Sequence, residues 1–171
     1  RLIESVKDYN IEFIEQPCDA ESLIALSHAQ QKSLIPIAAD QSVFTIHDAF
    51  NICKINAADM LTLGIHETGG ISNFKKIAQL AEAAGINICI HGLYESGITS
   101  YASHQLGISI PNIDDGNQIM LRFLEWDIIR KGIEFPDKME WPVNNKVGLG
   151  FDIDEDAVKE ANKLHRKKRL Y

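Results

Sequence analysis

Four side chains with chemical potential stand where short apolar runs stop. Glu15 follows residues 11–14, Asp40 follows 35–39, His91 follows 86–90 and Glu125 follows 121–124. Two carboxylates at the ends of adjacent strands repel unless a cation lies between them. Oxygen-only ligands suit magnesium, which takes a third carboxylate or several waters. A histidine titrates near neutral pH, as a general base should. A carboxyl among apolar neighbours (Phe123, Leu124 and Trp126) has a raised pKa and can donate a hydrogen bond to developing negative charge. The four form an incomplete set for metal-assisted proton abstraction. Each also has a plainer reading: Glu15 and Asp40 as caps of neighbouring helices, His91 and Glu125 as satisfied polar residues at the rim of a sheet.

The elements that must hold these residues alternate with a regular beat. A strand over 11–15 is stopped by Pro17, and Asp19 can cap a helix with Leu23, Ile24 and Leu26 at helical spacing. A second strand covers 35–40. Thr45 and Asp48 then form a capping-box pair ahead of Ala49, Phe50 and Ile52. A third strand over 60–63 leads through Gly69-Gly70 into a helix with Phe74, Ile77, Leu80 and Ala81, ended by Gly85. A fourth strand over 86–90 precedes a helix near 98–106, and residues 121–125 read as a fifth strand. His66 and Glu67 sit in the loop past the third strand, and Glu95 in the loop past the fourth. All three are candidate substrate contacts. His28, His47, His104 and His165 fall on helices or at their ends and read as surface or packing residues.

Strands apolar on both faces and alternating with helices call for a parallel sheet covered by helices. An open doubly wound sheet and a closed eight-fold barrel both fit that pattern. No strand is followed by a phosphate-binding glycine fingerprint. Barrels collect their chemistry at the carboxyl ends of several strands, which favours the barrel. A whole barrel takes about 250 residues, and these 171 supply about five of its units. The expected organisation is a partial barrel over 1–134, then a C-terminal segment over 135–171, extended and then helical, packing back on it or on a capping domain. Asp154 can cap that last helix. The basic run from 163 to 169 suits a helix carboxyl end. The opening residues read as the back end of an amphipathic helix, so the chain is expected to begin inside a domain.

The net charge of −7 argues against nucleic acid or an anionic membrane as partner, without excluding an anionic substrate at a bound cation. Cys18, Cys53 and Cys89 are widely spaced within apolar stretches, which suits free thiols in a reducing cytoplasm. No apolar run approaches the roughly 18 residues of a membrane span, and no signal peptide is visible.

Taken in order, Glu-Gln-Pro at 15–17, Ile-Ala-Ala-Asp at 37–40, Gly-Gly-Ile at 69–71 before an alanine-rich helix, and the His91 strand resemble the enolase superfamily. The likeness is to its mandelate racemase and muconate-lactonizing branch, and it runs from the third barrel helix to Val147-Gly148-Leu149-Gly150. It implies a modified TIM barrel, roughly strands four to eight with the C-terminal segment. The capping domain and the early strands fall outside the chain. It also implies Mg2+ as cofactor, with Glu15 and Asp40 as the second and third ligands. His91 matches a seventh-strand base, and Glu125 an eighth-strand acid that hydrogen-bonds the substrate carboxylate. The first ligand and a second-strand lysine base would lie on strands before Arg1. Five residues before Gly69, where the family commonly places a lysine base or an aspartate that orients the histidine, this chain has Gly64. Glu95 and His66 are then the candidates to orient His91. Gln41 replaces a glutamate often found after the fifth-strand ligand.

The resemblance implies removal of the proton next to a carboxylate. The expected outcome is dehydration of a hydroxylated carboxylate such as an acid sugar, a hydro-lyase reaction. The first rival is a racemase or epimerase, and the second a catalytically incompetent fragment or scaffold. The expected partner is a small carboxylate substrate, with a homo-oligomer when intact.

Overall fold

The structure, a computed structural model, describes residues 2–114, 116–130, 140–143 and 145–168. These separate into two compact units, one within 1–91 and 109–118, the other within 92–108 and 119–171. The boundary expected after residue 134 lies in a stretch, 131–139, outside the described residues.

The first unit opens with a short helix, α1 (Leu2–Val6), and is built on a four-stranded sheet, β1 (Ile14–Glu15), β2 (Ile37–Ala39), β3 (Met60–Leu63) and β4 (Asn87–Ile90). All three pairings are parallel and the order is simply β1-β2-β3-β4. Consecutive order without a reversal is the barrel pattern, since a doubly wound sheet changes direction at a switch point. Helices α2 (Leu23–Lys32), α3 (Ile46–Ile55) and α4 (Ile71–Ala83) form the crossovers. Their apolar faces bury Leu26, Ile52, Phe74 and Ile77 completely, against Ile37, Leu61, Leu63 and Ile88 of the sheet. A side chain the size of Phe74 contributes about 2–3 kcal/mol when fully withdrawn from water.

Local chemistry sets the helix ends. Thr45 accepts from Asp48 N while the Asp48 carboxylate accepts from Thr45 N at 2.8 Å, a complete capping box. Gly69, Gly70 and Gly85 adopt the positive φ expected of the glycines that flank α4. Asp19 does not cap α2. Its carboxylate accepts from Glu21 N within a preceding turn, and Ser22 is the cap, bonded to Ala25 N. That turn adds three residues before the helix begins.

The fifth strand is the main correction. Leu121–Phe123 forms one turn of 3-10 helix, not a strand. Residues 112–114 and 116–118 lie beside β4 instead: Ile88 N donates to Asn112 O, Asp114 N to Ile88 O and Gln118 N to Ile90 O, with a parallel bridge between Ile88 and Ile113. The Asn117 side chain accepts from Ile90 N at 2.8 Å, and Asn112 Nδ2 donates to Ile86 O at 2.9 Å. These residues are mostly polar and carry no apolar run. What places them is bonding to β4, which sequence periodicity does not register.

In the second unit, α5 (Gly97–Ser109, its last residue belonging to the first unit) starts at a glycine with no room for a side chain. A Cβ there would lie 2.3 Å from Ile129 Cδ1. Tyr101 packs its ring against Trp141 and Phe151, and His104 stacks on Trp141 while bonding that residue's carbonyl. His104 is thus a packing residue, as its sequence position suggests. A two-residue antiparallel pair, β5 (Ile129–Arg130) with β6 (Asp152–Ile153), precedes α6 (Glu155–Lys168). Asp154 caps α6 through bonds from the backbone N–H groups of Asp156 and Ala157. Among the described residues no helix is long and apolar enough to cross a membrane.

Candidate active site

Side chains alternate along each strand, so residues two apart share a face. Ala38, Met60 and Cys89 pack together with Phe13 against them, forming one layer on the face turned away from the helices. Two residues further along the chain from Phe13, Ala38 and Cys89 lie Glu15, Asp40 and His91. The apolar layer is therefore the floor beneath a polar strand-end layer, the arrangement a barrel uses to present chemistry. Thr62 closes the floor, with Cys89 Sγ 3.5 Å from its hydroxyl.

At the β1–β2 end, one amide ties the two carboxylate-bearing loops together. Gln16 holds a left-handed backbone (φ 38°) ahead of Pro17, a costly conformation for a residue with a side chain. Its side-chain oxygen accepts from Asp40 N (3.0 Å) and Ser42 N (3.2 Å), and its nitrogen donates to Ser42 Oγ (2.8 Å). Ser42 Oγ donates onward to Ala20 O. Asp40 is buried (5% exposed), while Glu15 lies on β1 at the sheet edge and is exposed. The Gln41 side chain donates to Asp40 Oδ2, so the amide found there in place of a glutamate supports the carboxylate where a second acid would repel it. Burial raises the Asp40 pKa, with Glu67 adding to the rise and His91 opposing it. Glu15 is raised by burial and then by the charge of Asp40.

At the β3–β4 end, His91 N donates to Leu63 O, which sets the histidine level with Gly64. Its Nε2 lies 3.5 Å from Glu67 Oε2 and 3.9 Å from Asp40 Oδ1, all three side chains at most 17% exposed. The acids beside the His91 ring are thus Glu67 and Asp40. Glu95 accepts from Leu93 N within its own loop, and His66 is exposed, its carbonyl accepting from Gly69 N. Glu125 does not end a strand, and the strand-end argument for its role falls with the strand. The residue that the β4 neighbour brings to the level of Ile90, next to His91, is Gln118.

Sequence reasoning overlooked Gln16 and Gln118. A polar side chain between Glu15 and the helix-breaking Pro17 was a usable signal for the first. Nothing local marked the second.

Glu15 and Asp40 offer hard oxygen donors at the ends of adjacent strands, and the Asp40 charge raises the Glu15 pKa, a repulsion that a divalent cation would relieve. That chemistry fits magnesium as two of its ligands. Among the described residues no three His, Cys, Asp or Glu side chains gather as a metal-binding group.

Residues 1–157 match the family described as enolase C-terminal domain-like. The chain belongs to that family. Muconate cycloisomerase 1 of Rhodococcus opacus is 32% identical over 163 residues, covering 93% of this chain and 42% of that protein. The N-succinyl-L-Arg/Lys racemase of Bacillus cereus is 30% identical over 159 residues, covering 92% and 42%. A crystal structure of a dipeptide epimerase from Cytophaga hutchinsonii, complexed with Mg and the dipeptide D-Ala-L-Val, superposes with a TM-score of 0.86 at 28% identity. It covers 92% of this chain and 44% of that one. The chain thus spans about two fifths of the length of these relatives. The enolase superfamily, its racemase and muconate-lactonizing branch and the partial-barrel fold all stand as the sequence suggested.

Proposed function

We propose that the protein carrying this chain is a magnesium-dependent isomerase that removes and returns the proton next to a carboxylate, as a racemase or epimerase of an amino-acid derivative. The observation that supports it best is the proximity of His91 to Asp40, a candidate base 3.9 Å from a candidate metal ligand. Proton abstraction from a carboxylate held at a cation needs that juxtaposition.

Glu15 and Asp40 would hold the magnesium, with Gln16 fixing their spacing. Bound there, the ion would supply Lewis-acid stabilisation of the negative charge that builds on the substrate carboxylate. His91 would take the proton at a ring nitrogen, and the second-strand lysine that the family resemblance implies would deliver a proton to the opposite face of the planar intermediate, which inverts the centre. Gln118, whose backbone N–H is bonded to Ile90 O at the end of β4, carries a neutral amide that would donate to the developing oxyanion. The similar proteins are named as cycloisomerases, racemases and epimerases. That supports isomerisation over the dehydration expected from the sequence.

The test incubates the full-length protein with magnesium in heavy water and a panel of dipeptides and N-succinyl amino acids, read by NMR and chiral chromatography. Deuterium at the α-carbon with inversion supports the proposal. Release of a keto acid from a hydroxylated substrate, without inversion, overturns it in favour of dehydration.

A further inference from the structure

Gly64 is buried at the end of β3, and its backbone does not require glycine, since its φ is not positive. What a side chain would meet there is two other side chains. A Cβ at this position would stand 2.0 Å from Glu67 Oε2 and 2.6 Å from His91 Nε2. The Glu67 carboxylate therefore fills the volume that a strand-end side chain on residue 64 would occupy.

The loop is built to deliver it there. Thr68, itself 3% exposed, donates from its hydroxyl to Gly64 O at 2.8 Å and from its backbone N to the same carbonyl at 3.1 Å. Gly70 N donates to Ile65 O at 2.8 Å, and Gly69 has a φ of +76°. These bonds curl residues 64–70 into a closed turn that aims Glu67 inward over the glycine. Two carboxylates then flank His91. Under the function proposed above, on which this inference rests, Asp40 is committed to the cation, which leaves Glu67 as the acid available to the ring.

We propose that Glu67 is the positioning residue for His91, a loop-borne carboxylate standing in for a side chain on residue 64. The carboxylate stands 3.5 Å from the ring Nε2, and Gly64 is the vacancy that admits it. A carboxylate on residue 64 itself would fall in the same volume, so the two arrangements exclude one another and each can replace the other.

The test uses the full-length protein and three variants, Glu67→Gln, Gly64→Asp and the double variant Gly64→Asp/Glu67→Ala, with folding checked by circular dichroism. Glu67→Gln is expected to lower kcat for α-proton exchange about 10- to 100-fold at nearly constant KM, the usual effect of losing a group that orients a functional ligand. Gly64→Asp, which collides with Glu67, falls at least as far. The double variant, with the carboxylate moved to the strand, recovers to within about 10-fold of the parent. Ring 15N resonances of His91 report the contact without reference to activity, and Glu67→Gln shifts them. Unchanged ring resonances in Glu67→Gln, or a double variant no better than Gly64→Asp alone, would overturn the inference. His91→Ala separates the two levels. If it keeps full exchange, the base assignment fails while the resonance shift still decides the contact. If it is inactive and Glu67→Gln is not impaired, only the positioning role fails.

Discussion

The two ends of the β1–β4 sheet meet the same requirement by different means. At β1–β2 each acid is the residue that ends its own strand, and Gln16 ties the two loops so that Glu15 and Asp40 stay together. At β3–β4 the strand-end residue is Gly64, and the acid near His91 arrives from three residues further along, folded back by Thr68. A strand end places a side chain through backbone geometry alone, whereas a loop must be closed by its own hydrogen bonds before it can do so. The first arrangement is rigid because the sheet is. The second is only as rigid as the turn over residues 64–70.

The comparison can be pressed experimentally. His91→Ala should lower α-proton exchange about 10²- to 10⁴-fold, the range for loss of a general base, with the far-UV spectrum unchanged. A smaller effect would move the chemistry to the β1–β2 end or to a base outside this chain. Phe74→Ala, on the helix that packs against β4, should cost about 3–5 kcal/mol in denaturant unfolding, because a wholly buried aromatic leaves a cavity. Gln16→Ala should weaken magnesium activation about 10- to 100-fold in a metal titration and leave the His91 ring resonances in place. If those resonances move, the two ends are not independent. Thr45→Ala removes the α3 capping box and should cost about 1 kcal/mol with no change in magnesium activation.

The smallest expected effect is on pH dependence. Asp40 and Glu15 have folded-state pKa values above their ordinary ones, so the folded state holds their protons more tightly than the unfolded chain does. Metal-free stability should therefore fall as pH rises from the ordinary carboxylate value, about 4, through the raised values, and the penalty is fully present above them. Magnesium should reduce that fall, as should Asp40→Asn. A metal-free Tm that rises over this window would contradict the burial of Asp40.

Much of the strand–helix beat was legible because it is local. Apolar runs ending in Glu15, Asp40 and His91 mark strands through their period and length, and the Thr45–Asp48 pair marks a helix start within four residues. The same logic failed at 121–125, where a short apolar run opens with a 3-10 turn over 121–123, and at 112–114 and 116–118, where mostly polar residues take the place beside β4. Asp19, a good cap by type, lost that place to Ser22 because a turn intervened.

By itself, then, the sequence determined the four parallel strands, their order of chemistry and the partial-barrel class, since alternation and strand ends follow from backbone geometry that each segment carries within itself. Only the tertiary structure decided that Glu67 lies over Gly64 beside His91, that Gln118 comes level with the end of β4, and that Gln16 joins the two carboxylate loops. Each of these is a contact between segments 3 to 30 residues apart, set by where loops close and which backbone groups remain to be bonded. No pattern within a single segment encodes that choice.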